Sequence, residues 1–179
     1  MEVEKVLVVG AGTMGNGIAQ VCAQTGISVV LADIEDRFVE KGMANIKRML
    51  AKAVEKGKLQ QTEMDVTLSR IKGTTKLSEG VDADFVLEAI FENPQVKREL
   101  YAKLAGIVRK DVIFASNTSS ISITELAAST DRPDKYIGMH FFNPVPLMKL
   151  VEVIRGMQTS DETCNFVVEL AKKLGKSPV

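Results

Sequence analysis

The sequence predicts an α/β fold, a doubly wound and mostly parallel sheet with helices on both faces. Three observations predict it. Short apolar runs such as "KVLVV" and "SVVLA" alternate with longer segments whose apolar residues recur at helical spacing. The runs are continuous and lack in/out alternation, as expected of strands buried on both faces. A chain of 179 residues with 45% apolar and 26% charged content suits one domain with a sizeable core.

Lys5–Val9 reads as the first buried strand, ending at Gly10. A helix from about Thr13 to Gln24 follows, with Ile18, Val21 and Cys22 on one face and Gly26 as its stop. Ser28–Ala32 is a second buried strand. A long helix runs from about Asp36 to Lys56 and ends at Gly57. Its apolar stripe is Phe38, Val39, Met43, Ile46, Met49, Leu50 and Val54. A shorter helix spans about Thr62 to Arg70, so residues 36–70 form a long helical insertion within a single domain over 1–179. Asp84–Ile90 reads as a strand. Asn93 and Pro94 then supply an N-cap and a first helical residue, and Val96, Leu100, Leu104 and Ile107 continue at helical spacing. Val112–Ser116 is another strand and Ile123–Ala128 a short helix. "YIGMHFF" and "LVEVI" are strands, Glu162–Leu174 is a helix, and "SPV" opens a last strand.

Composition narrows the function. Lys plus Arg and Asp plus Glu both number 23, so the electrostatic footprint of a nucleic-acid binder is missing and no such partner is expected. Cys22 and Cys164 have no metal-ligand spacing and form no disulfide framework. No metal is expected, and a reducing, cytoplasmic setting fits. Cys22, inside an apolar helical pattern, reads as a small core residue. No apolar run approaches transmembrane length, so no membrane partner is expected. The start, "MEVEKVLVVG", has an acidic head and a strand-like run and does not read as a signal peptide.

"GAGTMG", Gly10 to Gly15, follows the first strand directly and opens the first helix. In this pattern Gly10 permits a tight turn, Gly12 lets the backbone approach a pyrophosphate, and Gly15 lets the helix pack close to the strand. The helix N-terminus offers unpaired N–H groups to an anion. Asp33 ends the second strand, 18 positions after Gly15, where a carboxylate can accept both ribose hydroxyls of an adenosine and would repel a 2′-phosphate. The loop therefore predicts a Rossmann-type fold that binds NAD rather than NADP. The competing reading is a strand–helix turn whose glycines serve packing only.

The single histidine, His140, lies in "GMHFFNPVP". Glu152 follows on the next apolar strand, and a carboxylate in such a run is costly to bury unless paired. If the two strands are neighbours, Glu152 can hold one ring nitrogen and leave the other as a base. The polar cluster "SNTSS", Ser116 to Ser120, and Asn143 stand at strand ends, where open parallel sheets bind ligands. Two readings stand: a His–Glu pair that removes an alcohol proton as hydride leaves for NAD, or a buried pair that only stiffens the sheet.

"GAGTMGNGIAQ", "EAIFEN", "FASNTSS", "HFFNPVPLMKLVEV" and "LGKSPV" resemble, in order and over nearly the whole chain, the NAD-binding domain of 3-hydroxyacyl-CoA dehydrogenases. The resemblance implies oxidation of a (3S)-hydroxyacyl-CoA, or reduction of a 3-ketoacyl-CoA, with NAD as cofactor. It implies His140 as catalytic base, Glu152 as its orienting carboxylate, Ser119 near the substrate's 3-oxygen and Asn143 near nicotinamide and substrate. It implies cofactor contacts at Gly10, Ala11, Gly12, Thr13, Met14 and Gly15, and at Asp33, Glu92, Lys97, Ser119 and Asn143. Arg48, Lys52 and Lys56 fall at i, i+4, i+8 on one helical face. The family has basic contacts to CoA there, matched best by Lys52 and Lys56, with Ser119 also facing substrate. Met49 stands where some relatives have a serine. The resemblance further implies an all-helical domain beyond Val179, absent from this sequence, through which the whole protein forms a homodimer. The alternatives are a module that holds NAD without turnover, or a dehydrogenase of a free 3-hydroxy acid.

Overall fold

The computed structural model describes residues 3–179. Its eight strands are β1 (Lys5–Val9), β2 (Ser28–Ala32), β3 (Ile71–Thr74), β4 (Phe85–Glu88), β5 (Ile113–Ser116), β6 (Tyr136–Phe141), β7 (Leu150–Arg155) and β8 (Ser177–Pro178). They form one sheet in the order β3-β2-β1-β4-β5-β6-β7-β8. β1 to β6 pair in parallel, β7 turns antiparallel to β6, and β8 runs parallel to β7. The expected doubly wound, mostly parallel sheet is thus the observed one.

Successive residues of a strand face opposite layers, and the core divides accordingly. Val6 and Val8 join the layer under α1 (Thr13–Gln24), α2 (Asp36–Glu55), α3 (Gln61–Ser69) and α6 (Asp161–Lys173), where Ile18, Ile46, Leu50 and Val167 are fully buried. Leu7 and Val9 join the layer under α4 (Pro94–Ala105) and α5 (Ile123–Ala128), where Tyr101, Leu104 and Leu126 are fully buried. Cys22 lies in the first of these cores, and burial pushes its thiol up to about 12.

Three expectations are adjusted. β3 was not expected, because "IKGT" contains a single large apolar residue. It pairs in parallel with β2 at the sheet edge, where Lys72 and Gly73 stay exposed, so it carries no apolar run. The strand expected over Asp84–Ile90 pairs only from Phe85 to Glu88, because the chain then turns: the Ile90 amide donates to the Glu88 carboxylate at 2.8 Å. The helix expected from Thr62 begins one residue earlier, with the Gln60 amide donating to the Glu63 side chain at 2.7 Å. Among the described residues no helix is long and apolar enough to cross a membrane.

Candidate active site

β1, β2, β4, β5 and β6 are parallel, so the loops that leave their carboxyl ends share one edge of the sheet. A cleft of about 1050 Å³ opens there, beside the β1–β4 junction where the winding reverses. Its wall combines Gly10–Thr13, Asp33, Ile34, Ala89–Phe91 and Asn143–Pro146.

The glycines divide by cause. Gly10 has φ 104°, and a Cβ there would sit 2.5 Å from the Ala89 carbonyl oxygen. A Cβ on Gly15 would sit 1.7 Å from the Gly10 carbonyl oxygen, so α1 packs directly on the loop. A Cβ on Gly12 would meet nothing within 4 Å. Packing therefore does not require glycine at 12, and the open space beside it suits a ligand. Gly12 is the N-cap of α1, with no side-chain cap and no acidic residue in the first turn, which leaves N–H groups for an anion. Thr13 lines the cleft, whereas Met14 packs against the core. Asp33 is pinned at the cleft lip: one carboxylate oxygen accepts the Ala11 amide and the other the Ile34 amide, each at 2.7 Å. Each oxygen keeps a lone pair for a ribose hydroxyl. Open glycine backbone, uncapped helix end and lip carboxylate together fit a dinucleotide pyrophosphate and adenosine.

The antiparallel register sets His140 directly opposite Glu152, and Nδ1 lies 2.7 Å from Glu152 Oε2. A carboxylate oxygen accepts in this contact when Nδ1 carries the ring proton, and Nε2 has no polar partner among the described residues. The imidazole is 17% exposed, within reach of a ligand yet held from behind. Its ring packs on Phe142 with centroids 4.7 Å apart.

The "SNTSS" segment leaves β5 beside this pair. Asn117 Oδ1 accepts the Phe141 amide at 2.8 Å, tying the β5 loop to the strand that carries His140. Glu92 gathers the rest of the loop, accepting from the Thr118 hydroxyl, from the Ser119 amide at 3.1 Å and from the Ser120 hydroxyl at 3.5 Å. Partial burial pushes the Glu92 carboxyl up, but Thr118, the Lys97 ammonium and the Ser119 amide outweigh it and hold the group below the usual carboxylate range. Ser119 and Asn143 are exposed, and Asn143 lines the cleft.

Several expected contacts stand outside the cleft wall, Met14, Gly15, Glu92 and Ser119 among them. Lys97 is 1% exposed and lies outside the cleft wall, in a buried ion pair with Glu88. Lys52 and Lys56 are exposed and also lie outside that wall. Arg48 and Met49 of the same helix do line it. Arg48 donates to Asn45 Oδ1 at 2.5 Å, Asn45 to Asn16 Oδ1 at 2.8 Å, and Asn16 to the Gly12 carbonyl at 2.6 Å, so the cation on α2 is linked to the glycine loop. Sequence reasoning missed this chain and also Lys176, whose ammonium donates to the Val145 and Met148 carbonyls at 2.5 and 2.9 Å and fixes the cleft wall after Asn143. Glu88 carried a signal: like Glu152, it is a carboxylate inside an apolar strand.

The chain is similar to known proteins over nearly its whole length. Residues 5–179 match the family model "3-hydroxyacyl-CoA dehydrogenase, NAD binding domain". Similar curated proteins include a probable 3-hydroxybutyryl-CoA dehydrogenase of Deinococcus radiodurans, 54% identical over 96% of this chain and 62% of its own length. One of Bacillus subtilis is 49% identical over 100% of this chain and 62% of its own length. A crystal structure of (S)-3-hydroxybutyryl-CoA dehydrogenase from Ralstonia eutropha superposes with a TM-score of 0.97 at 52% identity, covering 99% of this chain and 63% of that one. The chain thus spans about 62% of the length of these curated relatives. A glycine loop shaped for a dinucleotide, in a chain matched from its first strand to its last residue, leaves one assignment: the chain belongs to the 3-hydroxyacyl-CoA dehydrogenase family, as its NAD-binding domain.

Proposed function

We propose that the protein interconverts a (3S)-hydroxyacyl-CoA and the 3-ketoacyl-CoA with NAD, and that a short acyl chain such as 3-hydroxybutyryl is its substrate. The observation that carries the reading is the His140–Glu152 contact of 2.7 Å with Nε2 left without a polar partner among the described residues. In the oxidative direction Nε2 accepts the proton of the 3-hydroxyl group, and Glu152 holds the imidazole and stabilises the charge that develops on it. The Ser119 hydroxyl donates to the 3-oxygen as it becomes a carbonyl, and Asn143 positions nicotinamide and substrate. Hydride acceptance is the chemistry that NAD supplies when bound. The glycine loop and Asp33 hold its pyrophosphate and adenosine ribose, and Glu92 shapes the wall beside it.

Arg48 in the cleft wall supports a CoA ester over a free hydroxy acid, because a guanidinium can meet the nucleotide phosphates of CoA in bidentate fashion. Lys52 and Lys56 extend the same basic face of α2 beyond the cleft. Exposed Leu147 and Met148, at 71% and 40%, directly after Pro146 of the cleft wall, support a covering helical domain and a homodimer formed through it. Two free cysteines support a reducing cytoplasmic setting.

The test is NADH consumption by the whole protein with acetoacetyl-CoA, with free acetoacetate, and with NADPH replacing NADH. Turnover with NADH and the CoA ester, at least about a hundredfold above the other pairs, is expected. Equal rates with free acetoacetate would show that Arg48 meets no CoA phosphate.

A further inference from the structure

Glu88, at the end of β4, is 0% exposed, and its carboxylate has four donors. It accepts from the Lys97 ammonium, the Ile90 amide at 2.8 Å, the Ser116 hydroxyl at 2.7 Å and the Tyr101 hydroxyl at 3.4 Å. Lys97, on α4 and 1% exposed, turns its remaining donors outward. Its ammonium lies 3.3 Å from Glu92 Oε2 and 3.4 Å from the Ile90 carbonyl oxygen. Glu92 in turn gathers Thr118, Ser119 and Ser120. One charged chain therefore runs from a dry strand end to the loop that presents Ser119.

The energetics ask why the pair exists. Removing two charges from water costs several kcal/mol per ion, and apolar residues of similar volume often serve stability as well or better. A buried ion pair is thus weak grounds for stability. Its geometric consequence is specific: a fully held ammonium is one of the few groups that can fix the half-exposed Glu92 carboxylate from beneath.

We propose that Glu88 is a positioning residue for the reductase–dehydrogenase reaction. It acts through Lys97 to fix Glu92, and Glu92 fixes the Ser119 backbone so that the hydroxyl meets the 3-oxygen in the transition state. The proposal rests on the functional reading above. Lys97 then serves also as the post behind Glu92 and the Ile90–Phe91 wall.

The experiment compares wild type with Glu88→Gln, Lys97→Gln and the double variant, in two readouts. Steady-state reduction of acetoacetyl-CoA by the whole protein is expected to lose about tenfold or more in kcat in each single variant, with KM within threefold and NADH affinity within threefold. The double variant is expected to be no worse than Lys97→Gln alone, because Glu88 acts through Lys97. The second readout needs no substrate. In NMR spectra of the 179-residue chain, the Ser119 amide resonance, held by the Glu92 carboxylate, is expected to move upfield in all three variants. If wild type does not reduce acetoacetyl-CoA, the functional reading fails, and the Ser119 resonance alone decides the positioning claim. Wild-type kcat in Glu88→Gln, strictly additive losses, or an unmoved Ser119 amide would each overturn the proposal. Should Glu88→Gln not fold, Lys97→Gln carries the same comparison.

Discussion

Side-chain chemistry at single positions separates binding from turnover. In the proposed complex Asp33 meets the cofactor at the adenosine ribose, so Asp33→Ala is expected to narrow the preference for NAD over NADP by ten- to a hundredfold, about 1.4–2.8 kcal/mol, read by titrating both reduced cofactors. Equal wild-type affinity for the two would remove the role assigned to Asp33. His140 lies outside the cleft wall formed by the glycine loop and Asp33. His140→Gln is therefore expected to lower turnover about a hundredfold or more while NADH affinity stays close to wild type. Parallel losses in both would instead mean a pair that only stiffens β6 and β7. Legibility at this scale followed burial and uniqueness. A lone imidazole twelve positions from a carboxylate in an apolar strand could be paired on paper, and the β6–β7 register pairs it. Glu88 has the same signature, but its partner Lys97 reads on paper as one more helix lysine. Only the fold shows that α4 turns Lys97 under the sheet's carboxyl edge.

Whole elements explain why similar glycines answer different demands. Gly12 caps α1 with φ −65° and ψ −170°, which any residue can adopt, and a Cβ there meets open space. Gly12→Ala is expected to keep the melting temperature within about 2 °C of wild type and to weaken NADH binding tenfold or more, since the added methyl takes the space a pyrophosphate needs. Gly15→Ala puts its Cβ 1.7 Å from backbone and must push α1 off the loop, at a cost of about 2 kcal/mol or more, seen as a lowered urea midpoint. If both variants melted alike and bound alike, the two glycines would share one cause. Elements were legible where burial writes a pattern. α1, α2 and α6 announce themselves by apolar stripes and stops. β3 does not, because an edge strand with Lys72 and Gly73 exposed needs no apolar run, and its partner β2 supplies the order. The link from Arg48 through Asn45 to Asn16 joins two helices and has no trace in either one's own periodicity.

Across the whole molecule the sheet has two ends with different tasks. The carboxyl end holds the cleft, and the amino end holds the strands in register. At the amino end Arg132 is 3% exposed, donates to the Arg109 and Val112 carbonyls at 2.5 and 3.4 Å, and lies 4.5 Å over the Phe114 ring. It thereby joins the entries of β5 and β6. Asp131 holds that guanidinium at 2.8 Å and also pairs with Lys110. The Arg132 bond first, and Lys110 second, lower the Asp131 carboxyl from its ordinary value to about 2. A carboxyl depressed in the folded state adds stability above its unfolded value near 4, and that stability is lost as pH falls from about 4 to about 2. Asp131 is 34% exposed, so solvent screening reduces the contribution to about 1 kcal/mol. Asp131→Asn keeps an oxygen acceptor and removes the charge. The variant is expected to be about 1 kcal/mol less stable than wild type in urea at pH 7, with the gap closing by about pH 2, and to keep wild-type NADH affinity at pH 7. A gap that persists at the acid end would assign the effect to hydrogen-bond shape rather than charge. A change in NADH affinity would mean that the two ends of the sheet are coupled.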